Sequence, residues 1–186
     1  MHRRELLQKL ISYRSKYVQE VATCDRFIEF VENHVNCFSR GLETGHVTGS
    51  AWLVDECGEK VVLTHHKKLN IWIQLGGHAD GESDVLQVAL QEAVEESGID
   101  NIRIVSPELF DIDIHTIPRF KNTPAHAHFD ARFVFRATGQ NALKLSDESH
   151  ELAWIPINEM AKYNSEESML RMARKWMDWK NSAIGI

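Results

Sequence analysis

No apolar run in this chain approaches the roughly 20 residues that a membrane span needs. The basic start, Met1-His2-Arg3-Arg4, is followed by Glu5 and by no continuous apolar segment, so neither a spanning helix nor a signal peptide is expected. Cysteine is scarce. Cys24, Cys37 and Cys57 are odd in number, widely spaced and without a C-x-x-C pair. This argues against a disulfide framework or a zinc ribbon and fits a reducing cytosol. Positive charge is in deficit, with 21 Lys and Arg against 27 Asp and Glu and a formal net charge of −6. Long nucleic acid needs a basic surface, so a polymeric nucleic-acid partner is not expected. A small phosphorylated substrate, held by a few local cations and a metal, remains compatible with that charge. There is no internal repeat and no low-complexity segment.

What is present suits one domain with a full core and some appended helices: 186 residues, 43% of them hydrophobic and 26% charged. Leu6, Leu7, Leu10, Ile11, Tyr17, Val18 and Val21 recur at helical spacing and predict a helix through about Glu20. Phe27, Phe30, Val31, His34, Val35 and Phe38 predict a second, after Thr23–Asp25. Beyond Gly41 and Gly45 the texture changes to strands at 46–54, 60–66 and 71–75, with a hairpin turn at Asp55-Glu56-Cys57-Gly58. A glycine loop follows, then a helix from Ser83 or Asp84 to Ser97, either residue being able to cap it. Further strands are expected near 102–106, 110–116, 125–137 and 151–155, and a closing helix from Ser165. In the strand 125–137, Ala127, Phe129, Ala131, Phe133 and Phe135 alternate with His126, His128, Asp130, Arg132 and Arg136.

One helix breaks a local rule. Glu92, Glu95 and Glu96 stand at i, i+3 and i+4, so they share one face. Like charges at this spacing cost about 0.2–0.5 kcal/mol per pair. Gly98 reads as the residue just past the helix C-terminus, which sets these carboxylates against the negative end of the macrodipole, a further cost of about 0.3–1 kcal/mol each. A helix built for stability alone would carry Lys or Arg there, and such conflicts tend to mark functional sites. A hard divalent cation such as Mg²⁺ would remove the conflict, since it favours oxygen ligands.

Gly77, Glu92, Glu95, Glu96, Gly98 and Ile99 together resemble the Nudix hydrolase signature: a glycine, five residues, Glu, seven residues, Arg-Glu, an aliphatic residue, any residue, Glu-Glu, any residue, glycine, aliphatic. Two positions depart. Ser83 stands where the first Glu belongs, with Glu82 one residue early, and Gln91 replaces the Arg. The run Leu69–His78 looks like the strand and glycine loop that enter the Nudix helix, and Glu151–Pro156 looks like the strand near the end of such domains. The resemblance covers roughly residues 44–163. It implies an α/β/α sandwich with a mixed β-sheet, preceded by an N-terminal helical extension (1–43) and followed by a C-terminal helix packed on the domain (164–186).

The resemblance also implies an activity: Mg²⁺- or Mn²⁺-dependent hydrolysis of a phosphoanhydride bond in a nucleoside diphosphate derivative or triphosphate. Glu92, Glu95 and Glu96 are then the metal ligands, with Glu95 or Glu96 the base. The backbone of Gly76 and Gly77 would let phosphate approach, since no side chain blocks it. His128 and Arg132 are candidates for phosphate contact. The expected partner is a small phosphorylated substrate, of nucleotide type, with no nucleic-acid polymer and no membrane; the leading helices are packing elements or a homodimer interface. A rival reading is a Nudix-fold module that binds a phosphorylated ligand with little catalysis, motivated by Gln91 and the displaced Glu82. A prenyl diphosphate isomerase on the same fold has no specific support in these residues.

Other polar groups have plainer readings. His126 and His128 at i, i+2 could bind a transition metal, but polar strand residues facing a pocket or solvent account for them as well. His65, His66, Lys67 and Lys68 read as a solvated turn, or as steering for an anion. Trp72 and Trp154 read as core, Phe120 as a stacking candidate, and Glu148 and Glu151 as exposed charge or a further acidic ligand or base.

Overall fold

In this computed structural model, which describes residues 2–67, 69–119, 124–139, 142–145 and 149–184, the two apolar stripes form α1 (Arg4–Lys16) and α2 (Val21–Asn33), joined by a 3-10 turn at Val18–Glu20. Both helices are shorter than their stripes. Tyr17 leaves helical space at φ −116° and ψ 75°. His34 turns extended at φ −120° and ψ 104°, while its Nδ1 bonds the carbonyl of Phe30 at 2.8 Å. Phe38 is buried all the same, outside the helix.

The strands are β1 (Gly45–Val54), β2 (Lys60–His66), β3 (Trp72–Ile73), β4 (Leu75–His78), β5 (Ile102–Ile104), β6 (Asp111–Ile117), β7 (His126–Ala137) and β8 (Ser149–Pro156). The helix α3 (Val85–Ser97) follows β4, and α4 (Glu167–Ile184) closes the described chain. Two expectations change here. The strand 71–75 is split, and its second part runs on through the two glycines to His78, because β4 pairs with β1. Gly76 lies so close to Gly49 and Ser50 that a Cβ would strike the Ser50 side chain and come 2.9 Å from the Gly49 carbonyl oxygen. Pairing and close packing override glycine's low strand propensity.

The chain divides into two compact units, each assembled from three stretches. The first comprises the described residues of Met1–Ser50, Gly76–Ala89 and Pro107–Phe133. Its apolar packing centres on Phe129, which stacks on Phe30 with ring centroids 3.7 Å apart and meets Phe27 at 5.5 Å. α2 thus contributes both aromatic rings that pack on Phe129. β6 pairs antiparallel with β7 from Asp111↔Arg132 to Ile117↔His126.

That register aligns a polar face. The Arg132 guanidinium is 3% exposed and lies 2.7 Å from Asp130, 3.1 Å from Asp111 and 3.3 Å from Asp113. Burial works against its charge, but the three carboxylates outweigh burial and raise its pKa above the ordinary value. The other oxygen of Asp130 accepts hydrogen bonds from Thr48 at 2.9 Å and Ser50 at 2.7 Å, which fixes β1 to the same network. The period-two alternation of β7 is therefore present, yet Asp130 and Arg132 on its polar face are buried, and His126, His128 and Arg136 are half-buried.

The second unit comprises the described residues of Ala51–Leu75, Leu90–Ser106 and Val134–Ile186. β2 pairs antiparallel with β8 from Lys60↔Pro156 to His66↔Ser149, with a register shift between His65 and His66. The hairpin turn forms as its sequence predicts, with Asp55 Oδ1 accepting from the amides of Glu59 and Lys60 at 2.7 and 3.0 Å. Trp176 of α4 is fully buried and donates its indole N–H to the Gly58 carbonyl at 2.8 Å. Among the described residues no helix is long and apolar enough to cross a membrane.

Two outcomes follow. Arg132→Met leaves buried carboxylates without their cation and should destabilise the fold by about 3–5 kcal/mol; a denaturant midpoint equal to that of the wild type would remove Arg132 from the foundation of the fold. Cys24 and Cys37 are fully buried, and burial pushes both thiols up to about 11, whereas Cys57 is exposed. A thiol reagent should label one cysteine per native chain and all three after denaturation, and labelling of more than one in the native state would contradict this packing.

Candidate functional site

In the first unit, two acidic residues shape the entry to α3. Asp84 Oδ1 accepts from the Gln87 amide at 3.2 Å, the geometry of an N-cap. Glu82 accepts at one oxygen from the amides of Asp84 and Ser83, at 2.9 and 2.6 Å, and these bonds hold its carboxyl below the usual range. Glu82, the acidic residue nearest the departing motif position, thus braces the turn. Gly76 and Gly77 lie in β4, half-buried.

In the second unit, α3 carries the three glutamates at graded depth. Glu96 is 9% exposed, Glu92 is half-buried and Glu95 is exposed. Gln91 donates from Nε2 to Glu95 at 2.7 Å, one helical turn away. It therefore holds a motif glutamate by one hydrogen bond without adding charge. Gly98 takes φ +70° and its N–H bonds the Val94 carbonyl at 2.8 Å, ending the helix where the sequence places its stop. The last turn contains no basic residue. Glu92, Glu95 and Glu96 share the last two turns of α3, at the negative end of the helix, and their carboxylate oxygens are hard donors of the kind that Mg²⁺ or Mn²⁺ favours, although the three are not among the donors that converge in this structure. The donor chemistry fits the metal that the resemblance implies.

His65 of the cationic run stacks on Trp72 at 5.2 Å, and Trp72 meets Tyr163 edge-on at 5.8 Å. Trp72 and Trp154 are half-buried rather than core residues, and Glu151 is exposed on β8. Lys68, Phe120 and Glu148 lie outside the described residues.

The polar face of the first unit brings together residues that spacing alone does not connect. His128 of β7 lies beside His46 of β1, His78 of β4 and His115 of β6, with ring centroids 4.7, 5.1 and 5.4 Å away. His126 is 5.0 Å from His46 and 5.2 Å from His128. Burial, aided by the neighbouring histidines, lowers His46 to about 4 and His128 to about 2, so both rings are neutral at pH 7. Arg132, named as a phosphate candidate, is enclosed by its three carboxylates, and His128 sits among rings. His46 and His78 escaped the sequence reading because each is a lone histidine in an apolar or glycine-rich stretch, and only strand pairing makes them neighbours of His128.

Comparison with known proteins agrees with this architecture. A NUDIX domain model matches residues 45–179. A C. elegans Ap4A hydrolase, solved as a binary complex, is similar with TM-score 0.55 and 16% identity, over 73% of this chain and 98% of that one. A MutT protein from Methanosarcina mazei Go1 is similar with TM-score 0.54 and 18% identity, over 75% and 97%. The E. coli dihydroneopterin triphosphate pyrophosphohydrolase gives TM-score 0.52 and 12% identity, over 69% and 92%. No curated protein matches the sequence. The shared fold is a mixed β-sheet with flanking helices, preceded here by an N-terminal helical segment. With its family model covering most of the chain, this protein belongs to the Nudix family.

Proposed function

We propose that this chain hydrolyses a phosphoanhydride bond in a nucleoside diphosphate derivative or a nucleoside triphosphate, with Mg²⁺ or Mn²⁺ as cofactor. Family membership supports pyrophosphohydrolase chemistry in general. The observation that carries the reading to residues is the glutamate set of α3, in the Nudix motif spacing, closed by Gly98. Glu92, Glu95 and Glu96 would hold the cation, which supplies positive charge to the phosphate oxygens and makes a water molecule easier to deprotonate. Glu95 or Glu96 takes the proton as the water oxygen bonds to phosphorus and the bridging P–O bond breaks. Gln91 orients Glu95 while leaving the full negative charge of the cluster for the cation. Gly76 and Gly77 present backbone without side chains, over which a phosphate could approach. Products are two phosphorylated fragments, or a nucleoside monophosphate and pyrophosphate from a triphosphate.

The names of similar structures support a small nucleotide-like substrate: one is an Ap4A hydrolase and another a dihydroneopterin triphosphate pyrophosphohydrolase. A cytosolic setting belongs to the same reading and is supported by three unpaired cysteines.

The test is a panel of nucleoside triphosphates, dinucleoside polyphosphates, sugar nucleotides and dinucleotide cofactors, incubated with and without Mg²⁺ or Mn²⁺ and read by mass. Metal-dependent cleavage is expected, reduced by about 10²–10⁴ in Glu95→Gln or Glu96→Gln, whichever removes the base. A folded pair of variants that both retain full activity would take these residues out of the mechanism. Metal-dependent binding of one compound without turnover would favour the binding module instead.

A further inference from the structure

We propose that His46, His78 and His128 form a binding site for a divalent transition-metal ion of the zinc class, separate from the glutamates of α3. The three imidazoles come from three paired strands, β1, β4 and β7, and each offers a ring nitrogen such that all three nitrogens lie within 4.8 Å of one another. Zinc–imidazole bonds of about 2.0–2.1 Å place the nitrogens of a tetrahedral site roughly 3.4 Å apart. Binding requires the nitrogens, now within 4.8 Å of one another, to close to that spacing. Among the described residues this is the group of three donors that converges.

The decisive observation is His46. It is 3% exposed, and neither ring nitrogen has a hydrogen-bond partner. Nε2 of His128 is likewise buried and unpartnered. Buried polar atoms in native proteins are nearly always satisfied, so three orphaned imidazole nitrogens in one cluster call for a partner. A cation at the centre of the rings would partner one nitrogen of each ring, and so one of the two on His46. The ligand form of histidine is the neutral ring, the form that burial already favours here.

The surroundings support the same ion. His126 uses Nδ1 on the Pro124 carbonyl at 2.9 Å, which leaves its Nε2 as the lone-pair nitrogen and a candidate fourth ligand. His115, whose Nδ1 pairs with Asp113 at 3.1 Å, lies beside His128 and is not one of the three converging donors. An all-imidazole set suits zinc, cobalt, nickel or copper and is a poor match for Mg²⁺, which favours oxygen. The donors all belong to the first unit and owe nothing to the hydrolase reading.

The test uses untagged full-length protein, stripped with a chelator and titrated with Zn²⁺ against a chromophoric competitor. One ion per chain is expected, not displaced by excess Mg²⁺. His46→Gln and His128→Gln should each weaken binding by at least about 100-fold, while Glu92→Gln/Glu95→Gln/Glu96→Gln leaves zinc affinity unchanged. X-ray absorption on the zinc-loaded wild type should report three or four imidazole nitrogens at about 2.0 Å, and this measurement decides even if the histidine variants fail to fold. Absence of competitive zinc binding, an oxygen-only shell, unchanged affinity in both histidine variants, or loss of zinc in the glutamate variant would overturn the proposal.

Discussion

The Arg132 guanidinium, buried among Asp111, Asp113 and Asp130, is the interaction on which the polar half of this protein depends. The buried carboxylates of Asp111 and Asp130, with the partly exposed Asp113 beside them, would be untenable without a cation in hydrogen-bonding contact, and a lone buried guanidinium would be equally so. The pairing fixes β6 against β7 in a single register. Thr48 and Ser50 then tie β1 to Asp130. A slip by one residue would carry Arg132 to the aromatic face and Phe129 to the carboxylates. The same register sets His115 opposite His128, and the strand order adds His46 and His78. The His115–His128 pairing is thus a downstream consequence of the ion-pair network two and four residue pairs away.

The chain carries two sets of potential ligands with opposite chemical character. The glutamates of α3 offer hard oxygen donors at the end of a helix, where their charge conflicts with the helix dipole and a cation would relieve the conflict. The histidines of β1, β4 and β7 offer neutral nitrogen donors in a buried setting. By their donor chemistry the first set suits Mg²⁺ or Mn²⁺, as the proposed function requires, and the second suits the zinc-class ion proposed above. Gln91 sharpens the contrast, since it orients Glu95 and leaves the negative charge of the glutamates undiminished.

Features with a local signal were legible in the sequence. Gly98 ends α3 because a left-handed residue is needed there, and Asp84 starts it as a cap. The alternation in β7 and the turn at Asp55–Gly58 are likewise local. Features decided by pairing were not legible. Gly76 and Gly77 look like a loop and become a strand because β1 lies alongside. The stripe of α2 runs on in sequence past Asn33, but His34 turns the backbone extended. Arg132 looks like the solvent face of a half-buried strand, yet the acids that accompany it inside come from β6 as well as β7. His46 and His78 carry no spacing signal at all. Their role depends on strand order, which periodicity does not encode.

Hydrolysis itself is the central claim, and oxygen tracing tests it directly. The protein is incubated with Mg²⁺ and a mixture of nucleoside diphosphate derivatives and triphosphates in ¹⁸O-enriched water, and the products are weighed by mass spectrometry. Attack of water on phosphorus predicts a single solvent oxygen in one of the two phosphorylated products of each cleavage. Products that form without solvent oxygen, or bound nucleotide that is never cleaved, would contradict the account.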